Sequence, residues 1–329
     1  MPLPATPLPE AFDGFRVVRP LGQGGMGAVW LGHDTVLDRP VALKFLSERG
    51  DGTQGRARLI AEARALARIH HPNVAAIYRI GEVEARPYIA YEYVDGVTLA
   101  DVERPLPWRR ALDPAIGLAR GLAAAHRHGV LHRDIKPANV VLTGAGEPKL
   151  IDFGIARLRR APGDEPPAPA GPLAHEPAST DVALAGTPLY MAPELWRGHP
   201  ASEAADLYAL GLILYELLGG EPLRGAPVGD ALLAHLATRQ LPHLSTVDPS
   251  IPGALADLVA RLTAAAPEAR YQRADAVVDG LEVVCSLHRA FVERSASPST
   301  PSPPSSAGAT APSSPTTTSG PCSRAPRAT

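Results

Sequence analysis

Cysteine is scarce in this chain. Only Cys285 and Cys322 occur among its 329 residues, and Cys322 sits in a polar tail, so no structural disulfide is expected and a reducing cytoplasm fits. Neither sign of charge is in excess. Thirty-two Lys and Arg face 34 Asp and Glu, a formal net charge of −2, which leaves no basic surplus for nucleic acid. Long apolar runs are missing as well. The longest, Leu207 to Gly220, contains Glu216 and reads as a buried helix, well short of the roughly 20 apolar residues of a membrane span. The segment from Met1 to Glu10 has no basic start and no apolar stretch, so it is not a secretory leader.

Proline, by contrast, is plentiful at 36 residues, and many of them sit in two segments that cannot build a core. From about residue 293 to Thr329 the chain is Ser, Thr, Pro and Ala, too poor in large apolar side chains to offset the entropy of ordering, and is expected to be disordered. A second Pro-rich stretch, about 159–179, interrupts an otherwise compact region as a long loop. Length allows one large domain or two smaller ones.

Gly22-Gln23-Gly24-Gly25-Met26-Gly27 spells G-x-G-x-x-G between two segments that read as strands, Phe15 to Val18 and Ala28 to Leu31. The dinucleotide-binding form of this pattern would open a helix. Glycines at 22, 24 and 27 let backbone lie over phosphates with no Cβ in the way. A Gly-rich hairpin that holds nothing is the plain alternative. Val41 to Leu46 is an apolar strand with Lys44 inside it, and a buried lysine needs a partner. The next helix, about 56–69, carries an apolar stripe at Leu59, Ala63, Leu66 and Ile69. Glu62 falls within that stripe, whereas Glu48 lies in the intervening loop. Strands follow at Val74 to Ile80 and Pro87 to Tyr93. A helix spans about Pro107 to Arg127, in which Pro114 should lie near the first turn or cause a kink, and Gly129 ends it.

The most telling stretch is His132-Arg133-Asp134-Ile135-Lys136-Pro137-Ala138-Asn139, followed by Asp152-Phe153-Gly154. It offers a carboxylate to take a proton, a lysine to neutralise phosphate charge, and an amide and a second carboxylate as hard oxygen ligands for a metal. A lone Asp or Asn in a loop is usually a turn former, but here several coincide. With the Gly-rich turn, the strand lysine and a closing Gly186-Thr187-Pro188-Leu189-Tyr190-Met191-Ala192-Pro193-Glu194, this chain resembles the protein kinases, and in particular the eukaryotic-like serine/threonine kinases of bacteria.

The resemblance implies an α+β, bilobal protein-kinase-like fold: an antiparallel small lobe with one helix, about 12–94, and a mainly helical large lobe, about 95–292. Residues 1–11 precede it and 293–329 form the tail. It implies transfer of the γ-phosphoryl group of Mg-ATP to protein Ser or Thr hydroxyls, with Mn²⁺ able to replace Mg²⁺. Leu21, Gly22, Gln23, Gly24, Gly25, Met26, Gly27, Val29 and Ala42 would surround the nucleotide. Lys44 would hold its α- and β-phosphates and pair with Glu62. The Glu92 carbonyl and Val94 N–H would meet the adenine edge, with Tyr91 guarding the back pocket. Asp134 would orient the substrate hydroxyl and accept its proton, Lys136 would neutralise the γ-phosphate, and Asn139 and Asp152 would bind metal.

Further roles follow from the same resemblance. Arg133 would answer an activation-loop phosphate, Ser179 and Thr180 would be autophosphorylation sites, and Thr187 would bond near Asp134 and Lys136. Asp181 could mimic a phosphate. Asp206 would tie the catalytic loop from below, and Glu194 would pair with Arg270, near which Ala266 stands where the family has an Asp cap. Partners would be Ser/Thr-bearing proteins and, for autophosphorylation between copies, a second copy of the chain. Two rivals remain. A scaffold without turnover should have lost Lys44, Asp134 or Asp152, and an antibiotic-phosphorylating enzyme should lack the segment closing at Glu194.

Overall fold

The computed structural model describes residues 8–24, 27–46, 60–61, 63–84, 86–153, 188–220 and 241–296. The chain divides into two units, Met1–Arg289 and Ala290–Thr329. The second is described only at residues 290–296, which are helical, so the first residues of the tail expected from about 293 instead continue a helix; the remainder, 297–329, lies outside the described residues, as does the stretch 159–179.

The first unit begins with a six-stranded antiparallel sheet in the order β1-β2-β3-β4-β6-β5. Its strands are β1 (Ala11–Phe12), β2 (Phe15–Gly24), β3 (Gly27–Asp34), β4 (Arg39–Leu46), β5 (Ile77–Val83) and β6 (Arg86–Glu92). The alternation of β4 decides what each face does. Val41, Leu43 and Phe45 point into a cluster with Phe15, Tyr88 and Ala90, while Ala42, Lys44 and Leu46 point the other way. Phe12 stacks edge-on against Phe15, Phe45 and Tyr88, with centroids 6.2, 5.7 and 4.9 Å away. The lobe therefore starts before residue 12: Ala11 pairs with Arg16, the Val17 N–H donates to the Glu10 carbonyl, and Leu8 packs on the aromatic cluster.

One expected strand shifts. β5 begins at Ile77, not Val74, because Val74 and Ala75 are spent on the other lobe: Val74 bridges to Leu150, and the Ala75 N–H donates to the Leu150 carbonyl at 2.9 Å. Of the helix expected at about 56–69, residues 60–61 and 63–66 are described as helical, and Ala63, Leu66 and Ile69 are buried in the main core.

A small sheet, β7 (Gly96–Thr98), β8 (Val140–Thr143) and β9 (Pro148–Leu150), leads into the helical part. Helix α1 (Trp108–Arg127) follows β7. Pro114 stands in its interior, past the first turn, with its ring buried among the apolar residues of the helix; the helix continues on both sides of it. Gly129, at φ +69°, closes the helix with its N–H donated to the His126 carbonyl. Gly121 permits close packing, since a Cβ there would sit 2.8 Å from the Asn73 carbonyl oxygen. Asn73 in turn donates to the Pro148 carbonyl and accepts from the Leu150 N–H, fixing β9 beneath the small lobe.

After α2 (Pro193–Trp196) comes α3 (Glu203–Gly219), which is buried all round from Ala204 to Leu218. Helices α4 (Leu244–Val247), α5 (Gly253–Leu262) and α6 (Ala274–Ala296) follow, the first unit ending within α6 at Arg289. No helix among the described residues is long and apolar enough to cross a membrane. At the start of α3 the Ser202 side chain accepts the Ala205 N–H, and Glu203 and Asp206 sit in the first turn, where the helix dipole favours negative charge. Ser202→Ala is expected to lower unfolding stability by about 1 kcal/mol, read as a shift of the urea midpoint; a midpoint within error of the wild type would show that the cap is not holding this helix.

Candidate active site

Asp206 organises the site. Its two carboxylate oxygens accept the backbone N–H groups of His132 and Arg133, each at 2.8 Å, and His126 Nε2 approaches at 2.9 Å. Arg133 has φ +62° and Asp152 φ +59°, conformations that cost a non-glycine residue about 1–3 kcal/mol. Both persist because neighbouring groups hold them, and Asp206 holds the first.

The loop above this anchor presents Asp134, which is 4% exposed. Lys136 Nζ lies 2.8 Å from Asp134 Oδ2. Asn139, in the 3₁₀ turn Pro137–Asn139, donates its amide to the Asp134 carbonyl at 2.8 Å and to Oδ2 at 3.0 Å. Those bonds commit the nitrogen and leave the amide oxygen as a hard ligand. The Asn139 carbonyl accepts the Ile151 N–H at 3.0 Å, which sets Asp152 next to the loop.

Lys44 arrives from the sheet. Register aligns Gly22, Val29, Lys44 and Ile89 in one row across β2, β3, β4 and β6, and Leu31, Ala42 and Tyr91 in the next. Lys44 is buried, and its Nζ pairs with Asp152 Oδ1. That is its described partner; Glu62 lies outside the described residues, as do Gly25, Met26, Ser179, Thr180, Asp181 and Thr187. Gln23 and Gly24 are described as backbone at the end of β2, and Leu21 is exposed there. A Cβ on Gly22 would meet nothing within 4 Å, so open space lies over that part of the turn. Gly27 needs glycine for a different reason: at φ +136° a Cβ would stand 2.0 Å from the Phe45 carbonyl oxygen.

At the far end of the row Glu92 closes β6, with Tyr91 buried behind it and Val94 two residues on. The Glu92 side chain is held twice, by Lys149 Nζ at 2.6 Å and by the Ala76 N–H at 3.2 Å. Lys149 belongs to β9, three residues before Asp152, so this pair ties the end of β6 to the strand that delivers Asp152. Sequence reading missed Lys149; its signal was a lysine in an otherwise apolar strand. It also missed His126, one of several histidines ahead of the loop with no pattern to mark it.

Glu194 and Arg270 form a buried bidentate pair at 2.7 and 2.8 Å, and Arg270 also donates to the carbonyls of Ala264, Ala265 and Ala204. Ala266 supplies no side-chain cap to the turn Pro267–Ala269, and its carbonyl accepts the Ala269 N–H instead. Arg133 lines a small pocket with Asp134, Ile135, Tyr190, Met191 and Ala192. Among the described residues no cluster of three or more His, Cys, Asp or Glu could hold a metal. The available oxygens are those of Asn139 and Asp152, a set that suits Mg²⁺, which takes few protein ligands and keeps waters and phosphate oxygens.

Two measurements follow from this geometry. Arg270→Met strands Glu194 in the interior and is expected to cost about 3–5 kcal/mol, much of it recovered in the double Glu194→Met, Arg270→Met variant; a double variant as unstable as the single would contradict that reading. His132 is fully buried and tilted on Phe153 at 4.4 Å. Its Nδ1 accepts the Asp134 N–H and its Nε2 faces the Ile151 carbonyl, which uses both nitrogens of a neutral ring. Burial holds its pKa below the ordinary value against the opposing pull of Asp206, Asp134 and Asp152. The folded pKa is thus the lower one. His132 contributes fully above the unfolded pKa of about 6.5, and that contribution is lost as pH falls below it, because the unfolded chain takes up the proton first. The margin in urea midpoint between wild type and His132→Phe should therefore shrink from pH 7 to pH 5, and a constant margin would refute the assignment.

The protein kinase domain profile matches residues 15–279. The chain is 33% identical over 288 residues to the probable serine/threonine-protein kinase PknB of Lactococcus lactis, covering 86% of this chain and 44% of that protein. It is 37% identical over 281 residues to the serine/threonine-protein kinase Pkn1 of Myxococcus xanthus, covering 83% of this chain and 38% of Pkn1. It thus spans less than half the length of these curated relatives. The solved kinase domain of Mycobacterium tuberculosis PknI superposes with a TM-score of 0.61 at 31% identity, over 84% of this chain and 99% of that one. A sheet-and-helix pair of lobes, a lysine row facing an anchored aspartate loop, and these likenesses have one common reading: the chain belongs to the protein kinase family, among the eukaryotic-like serine/threonine kinases of bacteria.

Proposed function

We propose that this protein transfers the γ-phosphoryl group of ATP to serine or threonine hydroxyls of proteins. The observation that supports this most directly is the convergence of Lys136 and Asn139 on Asp134, whose Oδ2 lies 2.8 Å from Lys136 Nζ and 3.0 Å from Asn139 Nδ2, together with the pairing of Lys44 with Asp152. Two lysines there balance two aspartates. A polyphosphate alone would add negative charge and a cation alone positive, so the site is suited to receiving the two together, the lysines turning to phosphate and Asp152 to the cation.

Asp134 orients the incoming hydroxyl and accepts its proton as the new O–P bond forms and the bond to the β-phosphate oxygen breaks, releasing ADP. Lys136 follows the charge that develops on the transferred group. Lys44 fixes the α- and β-phosphates, and Gly22 and Gly24 keep the turn above them free of side chains. Mg²⁺, or Mn²⁺ in its place, would neutralise phosphate oxygens when bound, held by the Asn139 amide oxygen and the Asp152 carboxylate. The transition state is loose, so the chief contribution of these residues is position, which the Asp206 anchor supplies.

Autophosphorylation on Ser179, Thr180 or Thr187, with Arg133 as the answering cation, belongs to the same proposal, as does a catalytic domain ending near residue 292 ahead of a tail. The test is incubation of wild type and Asp134→Asn with Mg²⁺ and labelled ATP, followed by mapping of phosphate by mass spectrometry. Wild type is expected to label itself on those residues, at a rate per molecule that rises with protein concentration if transfer runs between copies. The variant should lose about 10²–10⁴-fold in rate. A wild-type protein that binds ATP yet labels neither itself nor any protein acceptor would overturn the proposal.

A further inference from the structure

Two helix ends meet beneath the catalytic loop. His126 stands in the last turn of α1, and Glu203 and Asp206 stand in the first turn of α3. The helix dipoles favour a cation at the first place and anions at the second. The His126 side chain is 3% exposed and lies between the two carboxylates: its Nε2 is 2.9 Å from Asp206 Oδ2, and its Nδ1 is 3.5 Å from Glu203 Oε2. Asp206 anchors the loop, but no step above uses Glu203.

An ionised carboxylate only accepts, so the contact with Asp206 requires a hydrogen on Nε2. Nδ1 is buried and makes no hydrogen bond among the described residues. A bare lone pair at Nδ1 would face the Glu203 carboxylate and be repelled by it. A second N–H would be attracted across the same gap. The geometry therefore suits the imidazolium ring and not the neutral one.

The neighbouring charges leave this pairing intact. Arg127 and Arg273 both bond Asp275, at 2.7 and 2.9 Å, although Arg273 also feels the charge of Glu203. His128 turns its Nδ1 to the Ala124 carbonyl. His132 and Arg133 meet Asp206 through backbone N–H groups, and Arg133 lines a pocket with Asp206. Of these groups, His126 is the one placed against both carboxylates.

We propose that Glu203 is a positioning residue for phosphoryl transfer: it keeps a charged His126 between itself and Asp206, and that charge steadies the carboxylate that holds the turn at His132 and Arg133. Loss of the ring's second hydrogen leaves two carboxylates with no cation between them, one of them deeply buried, and so loosens the setting of Asp134. This rests on the kinase reading above, since it is read through the rate of transfer.

The test is the pH profile of kcat, with dephosphorylated casein as acceptor and saturating Mg-ATP. In the wild type kcat is expected to fall on the alkaline side as the ring loses its second hydrogen. Glu203→Gln keeps the shape and removes the charge. Its fall should come about one pH unit lower, the smaller end of what an opposite charge within about 4–6 Å does, while KM for ATP stays within about twofold. Glu282→Gln is the control. It removes a half-exposed carboxylate that pairs with Arg120 of α1, and its profile should match the wild type. An alkaline fall at the wild-type pH in Glu203→Gln, or an equal displacement in Glu282→Gln, would overturn the proposal. Nitrogen-15 spectra of the His126 ring provide a readout without turnover. At pH 7 the wild-type ring is expected to carry hydrogen on both nitrogens, and a neutral ring would also overturn the proposal. A wild-type protein inert toward every acceptor would instead bring down the kinase reading, and the spectra would still decide the state of His126.

Discussion

A single carboxylate holds the backbone turn on which the chemistry depends. Asp206 accepts two consecutive N–H groups, from His132 and Arg133, in a turn whose second residue has φ +62°. Without those bonds the turn would relax toward ordinary backbone, and Asp134 would leave the position in which Lys136 and Asn139 meet it. Asp206 is itself well supported. It lies in the first turn of α3, where the dipole favours a negative charge, and α3 is the most completely buried helix of the molecule among the described residues. The reactive loop is strained and the helix beneath it is packed on every side, so the strain is carried by the element least able to move.

The two lobes communicate through polar contacts that span the cleft at both ends. Lys44 of β4 meets Asp152 at one end, and Glu92 of β6 meets Lys149 of β9 at the other. Lys149 and Asp152 are three residues apart on one strand and its continuation. A shift of the small lobe would therefore be felt twice along the same short stretch. Asn73 adds a third tie, with backbone and side-chain bonds to β9.

Much of the site was legible because its residues are consecutive. Asp134, Lys136 and Asn139 occupy one loop, and their spacing alone brings them together. Lys44 was legible by alternation, since a charged residue between Leu43 and Phe45 must face away from their core. Residues paired across long separations were not legible. Glu92 and Lys149, or His126 and Asp206, gain meaning only when the fold brings them together, and neither lysine nor histidine carries a local sign of its partner. The start of β5 was misplaced for a similar reason: Val74 and Ala75 have strand-like side chains but bond to β9. Pro114, expected near the first turn or at a kink because it lacks an N–H, stands past the first turn with its ring buried, and α1 continues on both sides of it. The partners of Glu216, Arg104 and Tyr190, were hidden too, since an acidic residue in an apolar run says that a partner exists but not which one.

The strand β4 assigns its two faces by parity, with Val41, Leu43 and Phe45 filling the aromatic core of the small lobe and Ala42 and Lys44 facing the cleft. A single inserted residue ahead of Val41 would exchange the two sets at once, burying a lysine among phenylalanines and turning Phe45 toward the cleft. Lengthening at 159–179 is not expected to carry such a penalty, because the Pro-rich sequence there has no two-residue alternation of apolar and polar side chains to shift. Differences in length from relatives are therefore expected in such Pro-rich stretches and not ahead of Val41 in this strand.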